Sequence, residues 1–251
     1  MRTYAIGDIH GQFDKLQAAH ALIAVDRQAC DDNEAPIVHV GDLVDRGPES
    51  REVVEFLRSG LQNGQNWIVL KGNHDRMFTT YMRDPTSKDP GLSADISYLN
   101  PRLGGGTTLG SYGVKNAADR PLAQVYAEAV ALVPSDHLAF LDALPTWFQR
   151  GDNVFVHAGL RPGVALKDQI EDDLIWIRGP FLSDGRDFGA LVVHGHTALD
   201  LPIHYGNRLN IDSGAGYGRA LTTVVIEGRD VWVLTPGGRV PLLPTPNAAV
   251  R

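Results

Sequence analysis

Tyr4-Ala5-Ile6-Gly7-Asp8-Ile9-His10-Gly11 decides how this chain is read. The run Thr3 to Ile6 is short and apolar and stops at a glycine, so it reads as a buried strand that delivers Asp8 and His10 at its end. The same device recurs. Pro36-Ile37-Val38-His39-Val40 runs into Gly41-Asp42-Leu43-Val44-Asp45-Arg46-Gly47, and Trp67-Ile68-Val69-Leu70 runs into Gly72-Asn73-His74-Asp75. Val154-Phe155-Val156 ends at His157-Ala158-Gly159, and Ala190-Leu191-Val192-Val193 ends near Gly195-His196-Thr197. Between the first strands, Phe13 to Val25 has helical spacing, with Phe13, Leu16, Ala19, Leu22 and Ile23 on one face. Ser50 to Arg58 reads as a second helix with Ser50 as its N-cap. Leu221 to Ile226 and Val231 to Leu234 read as a closing pair around the turn Glu227-Gly228-Arg229-Asp230. Strands alternating with helices predict an α/β fold, in which ligands bind beyond the carboxyl ends of the strands. Every motif sits at such an end.

The bulk properties narrow the function classes. A length of 251 residues suits one large domain or two small ones. The net charge of -7 argues against nucleic-acid and anionic-membrane partners, which call for a basic face. Cys30 is the one cysteine, which excludes an intrachain disulfide and a thiolate metal cluster and fits a reducing, cytoplasmic setting. No stretch is long and apolar enough to span a bilayer. The first motif starts so early that a cleaved leader would remove candidate ligands, and none is expected. We expect a single catalytic domain over residues 1–235. An irregular, partly helical insertion at about 79–125 carries Pro85, Pro90, Gly91, Pro101 and Gly104-Gly105-Gly106. It either roofs the site or runs over the surface. Residues 236–251 form a proline-rich tail expected to wrap the surface or to be mobile.

The strand-end residues make a donor set for two divalent metals. Such a pair, roughly 3.5–4 Å apart, clamps a phosphoryl group and lowers the pKa of bound water. Asp42 is the candidate bridge. Asp8 and His10 complete one metal, and Asn73, His157 and His196 the other. His194 competes with His196, because residues two apart on a strand share a face. Mixed oxygen and imidazole donors suit manganese first, with iron, zinc or magnesium as alternatives. The leaving oxygen needs a proton, and His74, with Asp45 as its carboxylate partner, is placed to give it. Arg46 and Arg178 are the candidate phosphate contacts. Arg161 and Arg219 are rivals for the second. Asp212 and Tyr217 are candidates to line the pocket or support it.

This arrangement resembles the phosphoprotein phosphatase family, the serine/threonine phosphatases of the calcineurin-like metallophosphoesterase superfamily, over Tyr4 to about Gly214. The family pattern is Gly-Asp-x-His-Gly, Gly-Asp-x-Val-Asp-Arg-Gly and Gly-Asn-His-Glu or Gly-Asn-His-Asp. The chain looks most like the compact bacterial and phage-type members, which it also resembles in His157-Ala158-Gly159-Leu160-Arg161-Pro162-Gly163 and Leu174-Ile175-Trp176-Ile177-Arg178. The resemblance implies two packed mixed β-sheets flanked by helices and the metal, phosphate and acid roles just named, and its Gly-His-Thr pattern favours His196 over His194. It implies a protein-serine/threonine phosphatase acting on a phosphorylated protein or a small phosphoester, with water attacking phosphorus in line. The alternative is a symmetrical dinucleoside-tetraphosphate hydrolase. Those enzymes are similar in the same motifs but commonly carry Ala at the position of Asp45. A non-catalytic scaffold of this fold would be expected to lack ligands or His74, and every such position here is filled.

Overall fold

The computed structural model describes residues 1–245. Its strands are β1 (Arg2–Ile6), β2 (Ile37–His39), β3 (Trp67–Val69), β4 (Trp147–Arg150), β5 (Asn153–Val156), β6 (Leu191–His194), β7 (Ile203–His204), β8 (Arg208–Asn210), β9 (Thr223–Glu227), β10 (Asp230–Thr235) and β11 (Gly238–Pro241). They form a six-stranded sheet in the order β11-β10-β9-β1-β2-β3 and a five-stranded sheet in the order β4-β5-β6-β8-β7. Both sheets are mixed. β1, β2 and β3 run parallel, as do β5, β6 and β8, while β9 to β11, β4 and β7 pair antiparallel.

Side-chain alternation along these strands builds the layers. Ala5, Val38, Val224 and Ile226 of the first sheet pack against Phe155, Leu191, Val193 and Leu209 of the second. Tyr4 and Ile6, flanking Ala5, point to the other face and meet Leu16, Ile23, Val53 and Leu57. Those residues lie on helices α1 (Phe13–Cys30) and α2 (Ser50–Gln62). On the far face of the second sheet, Val154 and Val156 meet Leu174, Ile175 and Phe181. Parallel strands buried on both faces read as continuous apolar runs, which is why they were legible. Fully burying one such side chain is worth about 1.5–3 kcal/mol. The result is helices, sheet, sheet, helices, with every parallel strand ending on the same edge.

The remaining helices are α3 (Asn73–Arg83), α4 (Gly105–Ser111), α5 (Leu122–Leu132), α6 (Ser135–Ala143), α7 (Glu171–Trp176) and α8 (Gly179–Leu182). No helix among the described residues is long and apolar enough to cross a membrane.

Three expectations need correction. Helix α1 continues past Val25 to Cys30 and stops where Asp31 turns left-handed, at φ 50°. Ser50 is not an N-cap. It is the first helical residue, and its buried Oγ accepts the Asp45 N–H at 3.2 Å. The proline-rich tail does not simply trail away. Gly238–Pro241 pairs with β10 as an edge strand, where Pro241 has no neighbour needing its missing N–H. The rest of that tail, residues 246–251, lies outside the described residues. The insertion is partly helical, and of its two alternatives it takes the packed one rather than running over the surface. Its Tyr98, Leu109, Tyr112, Val114 and Val125 are buried in the same core as Tyr4 and Ile6.

Candidate active site

The site is built where backbone is hardest to hold. His10, Asp42, Asp45, Arg46 and His196 all have positive φ, between 48° and 73°. Non-glycine residues in this region cost about 1–3 kcal/mol each and persist only when their surroundings hold them. Here the strand-end loops are laced together. His10 N–H donates to the Asp42 carbonyl at 2.8 Å, Gly11 N–H to Leu43 at 2.9 Å, and Gly47 N–H to His10 at 3.0 Å. Asp75 ties the third loop in by accepting the N–H groups of Leu43 at 2.9 Å and Gly72 at 2.8 Å. Gly72 must be glycine, because a Cβ there would lie 2.1 Å from Asp42 Oδ1.

The lacing brings buried donor atoms face to face. His157 Nδ1–H donates to the Val40 carbonyl at 2.9 Å, so its Nε2 carries a bare lone pair. That lone pair faces Asn73 Oδ1 at 2.9 Å and Asp42 Oδ1 at 3.3 Å. His196 Nδ1 meets the same Asn73 oxygen at 2.8 Å. His10 Nδ1–H donates to the Val44 carbonyl at 2.9 Å, and its bare Nε2 faces Asp42 Oδ2 at 3.4 Å. Converging lone pairs repel one another unless a cation lies among them. Two buried atoms here, Asp8 Oδ1 and His196 Nε2, have no hydrogen-bond partner among the described residues. Asp42–His157–His196 and His10–Asp42–His74 each have donor atoms within 4.8 Å of one another and could hold a metal ion. Asp42 belongs to both sets.

Titration preferences agree with a site made for cations. Burial lowers the pKa of His10, His157 and His196, which keeps the imidazoles neutral and able to ligate. Burial, then the charges of Asp212 and Asp42, push the Asp8 carboxyl well above its ordinary value. Burial would raise Asp42 as well, but His157, His74, His10 and His196 around it hold its pKa low. Asp8, Asp42 and Asp212 are thus crowded buried carboxylates, and divalent cations relieve that repulsion.

His74 is the second residue of α3, and its ring Nδ1–H donates to Asp45 Oδ2 at 2.7 Å. Asp45 is held from its other side. Its Oδ1 accepts the Tyr98 hydroxyl at 2.6 Å and the Thr108 hydroxyl at 2.7 Å. Both come from the insertion, which therefore reaches the site. Asp89, also from the insertion, takes Arg76 Nε at 2.7 Å and Trp176 Nε1 at 2.9 Å. Trp176 in turn packs edge-on to His196, with ring centroids 5.8 Å apart. Tyr98, Thr108 and Asp89 were missed in the sequence because nothing periodic or motif-like marks them.

Arg46 does not stretch toward open space. Its guanidinium spans His10 Nε2 and His74 Nε2, the latter at 3.1 Å, so a cation already stands on those lone pairs. The Tyr217 ring lies over it at 4.6 Å. Arg178 is exposed, and partial burial of its guanidinium lowers its pKa against the opposing pull of Asp42. Its rivals are committed elsewhere: Arg161 to Asp173 at 2.5 Å and Arg219 to Asp200 at 2.6 Å. His194 is fully buried, beside Arg208 rather than among the facing donors, and burial followed by that guanidinium lowers its pKa to about 3.

Comparison with known proteins agrees with the architecture. The family model described as calcineurin-like phosphoesterase matches residues 1–218. The chain is 28% identical over 238 residues to the asymmetrical bis(5'-nucleosyl)-tetraphosphatase PrpE of Bacillus velezensis, covering 86% of each protein. It is 39% identical over 106 residues to the symmetrical bis(5'-nucleosyl)-tetraphosphatase of Buchnera aphidicola, which is 39% of this chain and 35% of that protein. Among solved structures, a putative diadenosine tetraphosphatase aligns with TM-score 0.57 at 21% identity, covering 96% of this chain and 94% of that one. A cold-active protein tyrosine phosphatase aligns with TM-score 0.64 at 17% identity, covering 97% of this chain and 79% of that one. With its strand-end motifs laced around facing metal donors, and with the family match running from the first strand past Asp212 and Tyr217, the chain belongs to the calcineurin-like phosphoesterases.

Proposed function

We propose that this phosphoesterase hydrolyses dinucleoside polyphosphates of the bis-nucleosyl tetraphosphate type. The observation that carries the reading is the match to an asymmetrical bis(5'-nucleosyl)-tetraphosphatase over 86% of both chains. A protein-serine/threonine phosphatase is the second reading. It is favoured by the His74–Asp45 pair, bonded at 2.7 Å. A serine or threonine alkoxide is a poor leaving group and needs that proton, whereas a nucleotide phosphate leaves more readily.

In this proposal Asp8, His10 and Asp42 would hold one divalent ion, and Asp42, Asn73, His157 and His196 the other, with manganese the first candidate, while His74, bonded to Asp45, would be kept for proton transfer. When bound, the ions neutralise phosphate oxygens and make water a usable nucleophile near neutral pH. The protein's own groups do the rest. Arg46 turns from the imidazoles to the substrate phosphate, and Arg178 meets it from the rim with planar, paired donors. A water oxygen attacks phosphorus opposite the leaving oxygen, and the bond from phosphorus to that oxygen breaks. His74, oriented by Asp45, passes a proton from Nε2 to the leaving oxygen.

Chelator-treated protein given back manganese and diadenosine tetraphosphate tests the reading, with products separated by chromatography. AMP with ATP indicates asymmetrical cleavage, and ADP alone symmetrical cleavage. Metal-dependent phosphopeptide turnover with no dinucleotide products would shift the assignment to the second reading.

A further inference from the structure

Tyr217 is a large aromatic residue left in the open beside an otherwise buried site. It is 59% exposed. It ends the short turn Ala215–Tyr217, which is bracketed by Gly214 and Gly218 at φ 78° and 84°. Gly216 brings the turn into contact with the chemistry, because a Cβ there would lie 2.7 Å from the His10 ring and 2.9 Å from Arg46 Cδ. The turn therefore lies directly against the site, and its aromatic side chain is exposed beside it. The Tyr217 ring covers the Arg46 guanidinium at 4.6 Å and lies 5.8 Å from that of Arg219. One face of the aromatic ring is thus fixed by a candidate phosphate-binding arginine, and the ring remains more than half accessible.

No packing requirement explains an exposed aromatic here, since Tyr217 is not among the residues of the apolar cores. A planar group joined to the phosphate that Arg46 holds would meet the ring next. Stacking on an aromatic side chain is tolerant of base identity, because every base has a π-face. Arg46 beneath the ring adds a cation–π contact that orients the platform before the guanidinium turns to the phosphate.

We propose that Tyr217 is the nucleobase platform of this site, stacking the base of the nucleoside attached to the bound phosphate. The inference rests on the dinucleotide reading for its physiological substrate, but its test does not. Hydrolysis of p-nitrophenyl phosphate by the metal-loaded protein serves as the reporter. Inhibition constants for AMP and ribose 5-phosphate, which share a phosphate and a sugar and differ by the base, are compared in wild type, Tyr217→Phe and Tyr217→Ala. The expected result is tighter inhibition by AMP, by roughly ten-fold or more, in wild type and Tyr217→Phe. The ratio of the two constants collapses toward one in Tyr217→Ala. Equal inhibition by the two ligands in wild type overturns the proposal, and so does a ratio that survives Tyr217→Ala. If AMP preference collapses as expected while diadenosine tetraphosphate is not hydrolysed, the platform stands and only the dinucleotide assignment falls.

Discussion

At the scale of single residues, the account turns on which atoms share a cation and which move a proton. Asp42 stands in both donor sets, whereas His196 stands in one. Asp42→Asn is expected to cost the protein both metal ions and His196→Ala one, read as metal per chain by plasma mass spectrometry. Retention of two ions in Asp42→Asn would remove it as the bridge. His74→Ala is expected to lower turnover of a phosphoserine peptide by roughly 100- to 10,000-fold, the usual range for general acid catalysis, at unchanged metal content. The loss on diadenosine tetraphosphate is expected to be smaller, because its leaving phosphate needs less help. Tyr98→Phe removes a 2.6 Å hydrogen bond to the Asp45 carboxylate. Hydrogen bonds to charged groups are worth about 1.5–3 kcal/mol, so phosphopeptide kcat should fall about ten-fold or more with KM little changed. The donor residues were legible because each is fixed by a short local pattern at a strand end. Tyr98 and Thr108 were not, because they reach Asp45 across 53 and 63 residues of chain, and a tyrosine or threonine in a glycine-rich segment carries no local sign of that contact.

At the scale of elements, the parallel strands could be read in advance because both of their faces are buried and their sequences are uniformly apolar. The strands β4, β7 and β8, the last of them parallel, were not, since Gln149, Arg150, His204, Arg208 and Asn210 break up any apolar run there. Strand β11 was masked by Pro236, Gly237 and Gly238, which form its turn rather than a loose end. It carries Arg239, whose guanidinium meets Asp26 on α1 at 2.7 and 2.8 Å, while Tyr4 on β1 donates to Asp26 at 2.7 Å. Three elements are pinned by one carboxylate. Arg239→Ala should lower unfolding free energy by roughly 2–3 kcal/mol in urea titrations. That is below the full cost of breaking a buried pair, because the Arg239 side chain is 22% exposed. A change near zero would mean that the hairpin holds without this ion pair.

At the scale of the whole molecule, a half-buried imidazole is expected to contribute to the acid limit of stability. His20 sits against His39, Phe56 and Trp67, and burial, then Arg27, lowers its pKa to about 4. An unfolded chain takes up that proton near pH ~6.5. Between about pH 6.5 and 4 the unfolded state therefore binds a proton that the folded state refuses, and stability falls as the pH drops through that window. His20→Gln should flatten the fall in melting temperature over this range, and an unchanged profile would exclude His20 as a contributor. The overall charge of -7 sets a different constraint, since a polyanionic substrate must be drawn in by local cations. Arg46, Arg178 and the metal ions of the proposal supply them. The fold and the donor cluster were legible at this scale, but the substrate was not, because the motifs encode the phosphate and not what is attached to it. The most direct test is therefore a side-by-side measurement of kcat/KM for diadenosine tetraphosphate and a phosphoserine peptide, with manganese restored to chelator-treated protein. The account predicts metal-dependent hydrolysis of both, with the dinucleotide preferred. Preference for the peptide, or no metal-dependent hydrolysis of the dinucleotide, would contradict it.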